Sequence, residues 1–537
     1  MVNVAKQGWT IDLLVITNLF LVIISWLVHD NYDGDCNLFQ IIEMGLTFYL
    51  MRLLFSKIKK IDIILILGVC MLCLYESLLG LIQFVRFLRN NFIQFPCTGS
   101  FDNPGPYGCL LAICISILMS CYIFTDYIFL KKICVISIMS GLLMLPVTMS
   151  RSAFIAIGCS FFLLVYSQKE YRQWFNRYKT YFLVAIPLFL VFLYAIKKQS
   201  ADGRLLMNKI GISMMLKEPI FGVGLGHYAG EFGKAQANYF LNKMQNNTND
   251  LEWSLVPESE RLVADCPTKA FNEYLQLGVE TGVLSMLCFL SIVFIAILQG
   301  LKKKKCSWVY GLITLSIIAF FSYPYDFFLF SFFQSLLLAA CCKAQISKPL
   351  NTLFALSFLI LYSFIVPGLK RTIIKERRIA SSVTEIKKMS DIECYDYIVS
   401  FCEEDNIIDI HDINYLFLYG KALSETGEYS KSDSILSVGA SLSSDPMFWN
   451  VMGNNSFKMG NYQEAERCYK QAFYMVPNRL YPLYLLSKLY YQTGNYSQFI
   501  ELVDRINTFI PKIESHNTKQ MRNDINKLKE HLIQLEL

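Results

Sequence analysis

Residues 61–84 read IDIILILGVCMLCLYESLLGLIQF, and a run this long and this apolar decides the fold class. About 20 such residues in a helix cross the hydrocarbon of a bilayer, so the run predicts a membrane-spanning helix. Ten further runs predict spans near 11–28, 38–56, 107–130, 133–150, 152–167, 180–196, 277–300, 306–322, 326–346 and 350–367. Of the 537 residues, 54% are hydrophobic and 17% charged, too apolar a balance for an ordinary soluble domain. The apolar runs stop near Gly368 and the chain turns polar after Lys370, which predicts a membrane domain over 1–369 and a soluble domain over 370–537. Ile11 to Val28 runs into His29 and Asp30 without a small-residue cleavage site, as a retained first span does.

The net charge of +6 does not predict a nucleic-acid partner, because the basic residues occupy short loops between apolar runs and form no basic face. Lys57/Lys59/Lys60, Lys131/Lys132, Lys169/Arg172/Arg177/Lys179, Lys302 to Lys305 and Lys343/Lys348 fall between alternate spans. The positive-inside rule puts each of these loops in the cytoplasm. The loops around Asp30 and Asn103, Arg151, a long segment of about 197–269 and the turn Ser322-Tyr-Pro-Tyr-Asp326 then face outward. With eleven spans, the tail is outside as well. The seventeen cysteines lie mostly inside apolar runs with no zinc spacing, and they read as small lipid-compatible residues. No metal site and no cofactor is predicted.

The tail repeats. Gly427-Glu-Tyr429, Gly460-Asn-Tyr462 and Gly494-Asn-Tyr496 recur at about the 34-residue period of tetratricopeptide helix pairs, predicting repeats around 413–445, 446–478 and 480–511. Ala465, Pro477 and Pro511 stand where such repeats place a small packing residue and a closing proline. In the first repeat Ser432 takes the small position and Pro446 comes late. Such an array presents a curved surface to a protein or peptide, or serves as a stabilising cap.

Candidate chemistry gathers in the outer segments. In Gly222-Val-Gly224-Leu-Gly226-His227 the spacing is GxGxG with no βαβ context, so a dinucleotide site is excluded. The loop either offers backbone amides to a phosphate or is a bend whose glycines let the chain pass close to the bilayer. An arginine beside hydrocarbon costs about 2.5–3.5 kcal/mol on insertion scales. Arg151 in Thr148-Met-Ser-Arg-Ser-Ala153 and Arg204 in Asp202-Gly-Arg204 are therefore candidates to bind a diphosphate by bidentate, charge-assisted hydrogen bonds; the alternative for each is an interfacial anchor. His227 is a candidate general base or phosphate ligand, with Asp265 and Glu273 as competing bases and a plain surface role as the alternative.

Four motifs in order, Phe101-Asp-Asn103-Pro104, Ser150-Arg-Ser-Ala153, Gly203-Arg204 followed by Glu218-Pro-Ile-Phe-Gly-Val-Gly-Leu-Gly226, and Phe271-Asn272-Glu-Tyr-Leu-Gln-Leu-Gly-Val-Glu-Thr-Gly282, resemble the O-antigen ligase and polymerase superfamily over most of the membrane domain. The tail is similar to the tetratricopeptide extension some members carry. The resemblance implies an all-α, GT-C-like membrane bundle that moves a glycan from undecaprenyl diphosphate to an acceptor hydroxyl on the periplasmic face of a bacterial inner membrane, with no cofactor. It implies that Arg151 and Arg204 hold the diphosphate and that a histidine before Asn272 activates the acceptor. This sequence departs there, since the position is Phe271, leaving His227, Asp265, Glu273 or weaker base assistance. Lipid A core, a growing glycan and a protein hydroxyl are the implied acceptors; membrane lipids and, through the repeats, a periplasmic protein are the other implied partners. A non-catalytic export or flippase scaffold is the alternative from another class.

Overall fold

The computed structural model describes residues 2–29, 34–89, 95–168, 197–244, 256–303, 306–342, 377–405 and 411–536, with isolated positions between 172 and 195 and between 356 and 363. The described residues are helical with no strand. In chain order the membrane domain has α1 (Val2–Val28), α2 (Gly34–Lys57), α3 (Ile61–Arg89), α4 (Pro104–Phe124), α5 (Ile128–Thr148) and α6 (Arg151–Ser167). Then come α7 (Lys198–Lys217), α8 (Tyr228–Met244), α9 (Glu258–Leu262), α10 (Glu273–Thr281), α11 (Val283–Lys302), α12 (Trp308–Phe321) and α13 (Phe328–Cys341).

Six of these helices, α1 to α5 and α11, are long and apolar enough to cross a membrane; α6, α12 and α13 are shorter apolar helices at three further expected spans. The expected spans at 180–196 and 350–367 lie largely or wholly outside the described residues. Among the boundaries that differ from expectation, two have a local cause. The run at 107–130 ends at Phe124, where Thr125 leaves the helix with extended backbone. The run at 277–300 is cut by Gly282, whose φ of +91° ends α10 and starts α11. A Cβ at Gly282 would lie 2.1 Å from the Ile220 carbonyl oxygen, so the break needs glycine twice over.

α4 is the central post. It is apolar on every side, as an interior helix is, and fifteen of its residues are buried. α3, α5, α6 and α12 pack around it, while α2 pairs with α13 and α1 with α11. Its start is fixed locally: Asn103 accepts from the Gly105 amide at 2.8 Å and Pro104 takes the first helical position. The preceding loop is held to α3, where Glu76 accepts from the Ser100 amide and hydroxyl and Gln83 accepts from the Thr98 and Gly99 amides.

The tail contains three helix pairs, Ile413–Glu425 with Tyr429–Leu442, Met447–Lys458 with Tyr462–Met475, and Tyr481–Gln492 with Tyr496–Thr508, followed by His516–Glu536. Each pair turns on one of the recurring glycines. Gly427, Gly460 and Gly494 have φ of +89°, +80° and +76°, and the next residue donates its amide five residues back, Glu428 to Leu423, Asn461 to Ser456 and Asn495 to Tyr490. This is the left-handed helix stop that favours glycine. Ser432 and Ala465 are fully buried at the small position, and Ser432 Oγ donates to the Gly420 carbonyl.

The tail and the long segment between α6 and α10 share one core. Phe232 and Phe240 of α8 bury with Phe473, Phe499 and Phe509 of the tail. Polar contacts lock the seam: Asn478 Nδ2 donates to the carbonyls of Arg261 and Ala264, Arg261 donates to those of Pro477 and Ile510, and Gln236 to those of Met475 and Asp265. Gly230 lies so close that a Cβ would meet the Ser441 carbonyl oxygen at 1.7 Å. The tail therefore sits on the same side of the bundle as this segment.

Candidate functional site

Arg151 and Arg204 come together. Arg151 is the first residue of α6, just after Met149 turns the chain with a φ of +48°, and its guanidinium donates to the Lys197 carbonyl at 3.2 Å and Ser200 Oγ at 3.1 Å. Both acceptors belong to the start of α7, and Arg204 follows one turn later on that helix. Arg204 donates to the Phe321 carbonyl at 2.6 Å, at the end of α12, and its guanidinium lies 4.8 Å over the Phe271 ring. Burial, then the positive charge of Arg151, push Arg204 below the usual arginine range.

Among the described residues neither guanidinium has a carboxylate partner within ion-pair distance. Each has five N–H donors, and they use two and one. Two half-buried cations with unspent donors, one of them at the positive end of a helix, form a site for an anion with several oxygens. An apolar groove of about 680 Å³ runs between α7, α10, α11 and α12, walled by Ile212, Leu290, Phe294 and Phe320 and reaching Phe321, whose carbonyl holds Arg204.

Phe271, where a histidine is expected, is one wall of this site. Its φ is +52°, unusual for an aromatic residue, and its ring meets Tyr323 edge-on at 5.0 Å as well as Arg204. Neighbours on either side turn the other way. Lys269 pairs with Asp326 at 2.8 Å, and Glu273 Oε1 accepts the Tyr325 amide at 2.8 Å. Glu273 and Glu280, two turns apart on α10, enter a separate half-enclosed cavity among α1, α2, α11 and α13. α10 lies outside the spanning helices. Burial drives Glu273 up to about 8, with the Tyr325 amide pulling weakly the other way, and drives Glu280 to about 7 despite Lys269. The Lys269 ammonium is held above its ordinary range, burial working against it and Asp326 outweighing burial.

The glycine loop belongs to this second region. Val223 and Gly224 donate their amides to the Val279 and Glu280 carbonyls at 2.9 and 3.1 Å, Gly222 donates to Glu218, and the Gly226 amide serves the Glu280 carboxylate. Ser25 Oγ caps the same loop through the Phe221 carbonyl. Of the two readings of this loop, the bend is the one its hydrogen bonds describe. The amides of Gly222, Gly224 and Gly226 bond within the protein, and the positive φ values of +69°, +104° and +84° serve a tight latch against the end of α10.

The other expected bases are also placed apart from the arginines. His227 Nδ1 lies 3.2 Å from the Leu225 carbonyl and beside Gly224, near His29 at the end of α1. Asp265 is a strut in the tail seam: Lys512 donates to it at 2.7 Å and the Cys266 amide at 3.0 Å, and its carboxyl sits below the usual range because these donors outweigh burial. Asn272 caps α10 by accepting from the Leu275 amide, so Asn103, Asn272 and Gly282 of the sequence motifs act on backbone geometry. Sequence reading did not single out Ser200, Tyr323, Lys269, Glu280 or Asp326 as site residues. Tyr323 and Asp326 had a signal in the outward Tyr-Pro-Tyr-Asp turn.

Residues 135–290 match the family model described as O-antigen ligase. The matched stretch holds Arg151, Arg204, the glycine latch, Phe271 and α10. No curated protein matches the chain.

Proposed function

Taking the matched segment as that of an O-antigen ligase-like membrane glycan transferase, we propose that the chain transfers a glycan from undecaprenyl diphosphate to an acceptor hydroxyl at the outer, periplasmic face of a bacterial inner membrane. The single observation that carries this is that Arg151 and Arg204 meet at the start of α7, each without a carboxylate partner among the described residues. A diphosphate fits the unspent donors, and the apolar groove that reaches Phe321, the residue bonded by Arg204, suits the prenyl chain attached to it. The acceptor oxygen attacks the anomeric carbon as the bond to the diphosphate oxygen breaks. The guanidiniums stabilise the negative charge that develops on the leaving group.

Phe271 has no atom that accepts a proton, so the proton of the acceptor leaves to solvent or to the released diphosphate. The tail pairs, read as tetratricopeptide repeats, share a core with the segment that carries Arg204 and stand on its side of the membrane. The basic loops put that shared side outside by the positive-inside rule, where the tail would present an acceptor or partner. Purified protein given undecaprenyl-diphosphate oligosaccharide and candidate acceptors should release free undecaprenyl diphosphate. If it releases none with lipid A core, glycan or protein acceptors, the non-catalytic export or flippase scaffold is the better reading.

A further inference from the structure

The cavity entered by Glu273 and Glu280 has no part in holding the diphosphate. It encloses about 160 Å³ and lies across the 269–273 stretch from the arginines. One water requires about 10–15 Å³ on this measure, so there is room for about ten waters, or one sugar ring. Its polar wall is built from four elements. Gln276 Nε2 donates to Glu280 at 3.1 Å, the Asn18 side-chain oxygen accepts from Ser285, and Gln40 donates to Ser331 Oγ at 2.7 Å and to the Tyr325 carbonyl. Those bonds fix the side chains but leave capacity unused. The Tyr325 hydroxyl is buried in the wall with no partner, and a buried hydroxyl without one costs about 1–3 kcal/mol. The rest of the lining is apolar, with Phe48 and Phe289 giving flat surface and Val15, Leu19, Met44 and Leu225 among the aliphatic residues.

The chemistry of this wall selects its occupant. Two carboxyl groups against a lysine already paired with Asp326 do not attract a second phosphate. Among the described residues no cluster is arranged to hold a metal ion. Carboxyl and amide groups that donate and accept side by side, with aromatic faces between them, match a neutral molecule carrying adjacent hydroxyls and a C–H face. A half-enclosed pocket of this size also differs from the long open groove an extended peptide needs to lay down its backbone.

We propose that this cavity is a sugar-binding subsite that seats the terminal residue of a carbohydrate acceptor through Gln276, Gln40 and Asn18. As an acceptor site it rests on the transfer reaction above, with donor and acceptor approaching Phe271 from its two sides.

The test separates the two readings. Met44 lines the cavity, and Met44→Cys in the full-length protein supplies a thiol whose modification by a small water-soluble maleimide is followed by mass spectrometry of that peptide against the parent protein. No donor and no turnover are needed. Methyl glycosides of glucose, galactose and N-acetylglucosamine at millimolar concentration should slow modification at least threefold for one of the sugars, and Gln276→Leu should abolish that protection. In turnover with an oligosaccharide acceptor, Gln276→Leu should raise the acceptor KM at least tenfold and leave the donor KM within twofold. A serine peptide that protects as well as the sugars, no protection by any sugar, or protection that survives both Gln276→Leu and Asn18→Leu would overturn the subsite. A wild-type protein that protects but never releases lipid diphosphate would retain the sugar site and remove the transferase reading and, with it, the acceptor role.

Discussion

The two faces of residues 269–273 are built on opposite electrostatic plans. On one face Arg151 and Arg204 stand close, like charge beside like charge, with donors unspent; on the other, Glu273 and Glu280 are buried together beside Lys269 and the Gln276 amide. The first arrangement is costly until an anion arrives. The second relieves its cost by raising the proton affinity of both carboxyls. One short stretch of chain, bent by the positive φ of Phe271, can thus keep a charged partner and a neutral one apart by a single residue.

The largest effect should fall on the cationic face. Arg204→Ala or Arg151→Ala should lower transfer by about 100- to 1000-fold, the range for losing a donor aimed at developing charge, while the protein still inserts. Lysine at either position should rescue poorly, because a point charge lacks the planar fork. Near-wild-type turnover in both alanine variants would reduce the pair to interfacial anchors and dissolve the contrast.

The seam between tail and membrane domain comes next. Arg261 is buried, donates to two tail carbonyls and stacks over Phe509 at 4.5 Å. Arg261→Ala leaves those acceptors unpaired and should cost about 2–3 kcal/mol, read as a lower melting temperature. An unchanged melting temperature would mean that the seam does not couple the two parts.

The carboxylate face has a pH signature. Glu273 in the folded protein titrates near 8, against an ordinary 4.5, so folding retains a proton that the unfolded chain gives up between those values. Its contribution is greatest below about 4.5, declines as pH rises, and is lost above 8. Thermal stability followed from pH 5 to 8 should therefore decline, and Glu273→Gln should flatten the decline. A parallel slope in the variant would assign the titration elsewhere. The smallest effect is expected at His227, on the latch side of α10. His227→Ala should change turnover by less than about threefold, and a 100-fold loss of the kind a missing general base produces would put it back among the catalytic groups.

Much of this organisation was legible in the sequence. Apolar length alone marks the spans at α1 to α5, and the two arginines stand out because charge beside hydrocarbon is expensive. The glycines of the tail were equally readable, since a helix stop needs left-handed backbone whatever surrounds it. The latch was not, because a glycine bend that exposes its amides and one that pairs them have the same sequence; only the carbonyls of Val279 and Glu280, more than fifty residues away, decide between them. Gln40, Lys269, Glu280 and Asp326 could not be grouped in advance, because four separate elements bring them to one cavity. Asp265 had the residue type of a base, and its actual partner is Lys512, far along the chain.

The shared core also sets an order of events during synthesis. Phe232 and Phe240 find their partners at Phe473, Phe499, Phe509 and Ile525, which leave the ribosome hundreds of residues after α8. The segment carrying Arg204 must wait, its apolar side uncovered, until the tail has been made and has folded against it. A nascent or prematurely stopped chain would already contain both arginines yet lack the packing that supports the segment carrying one of them.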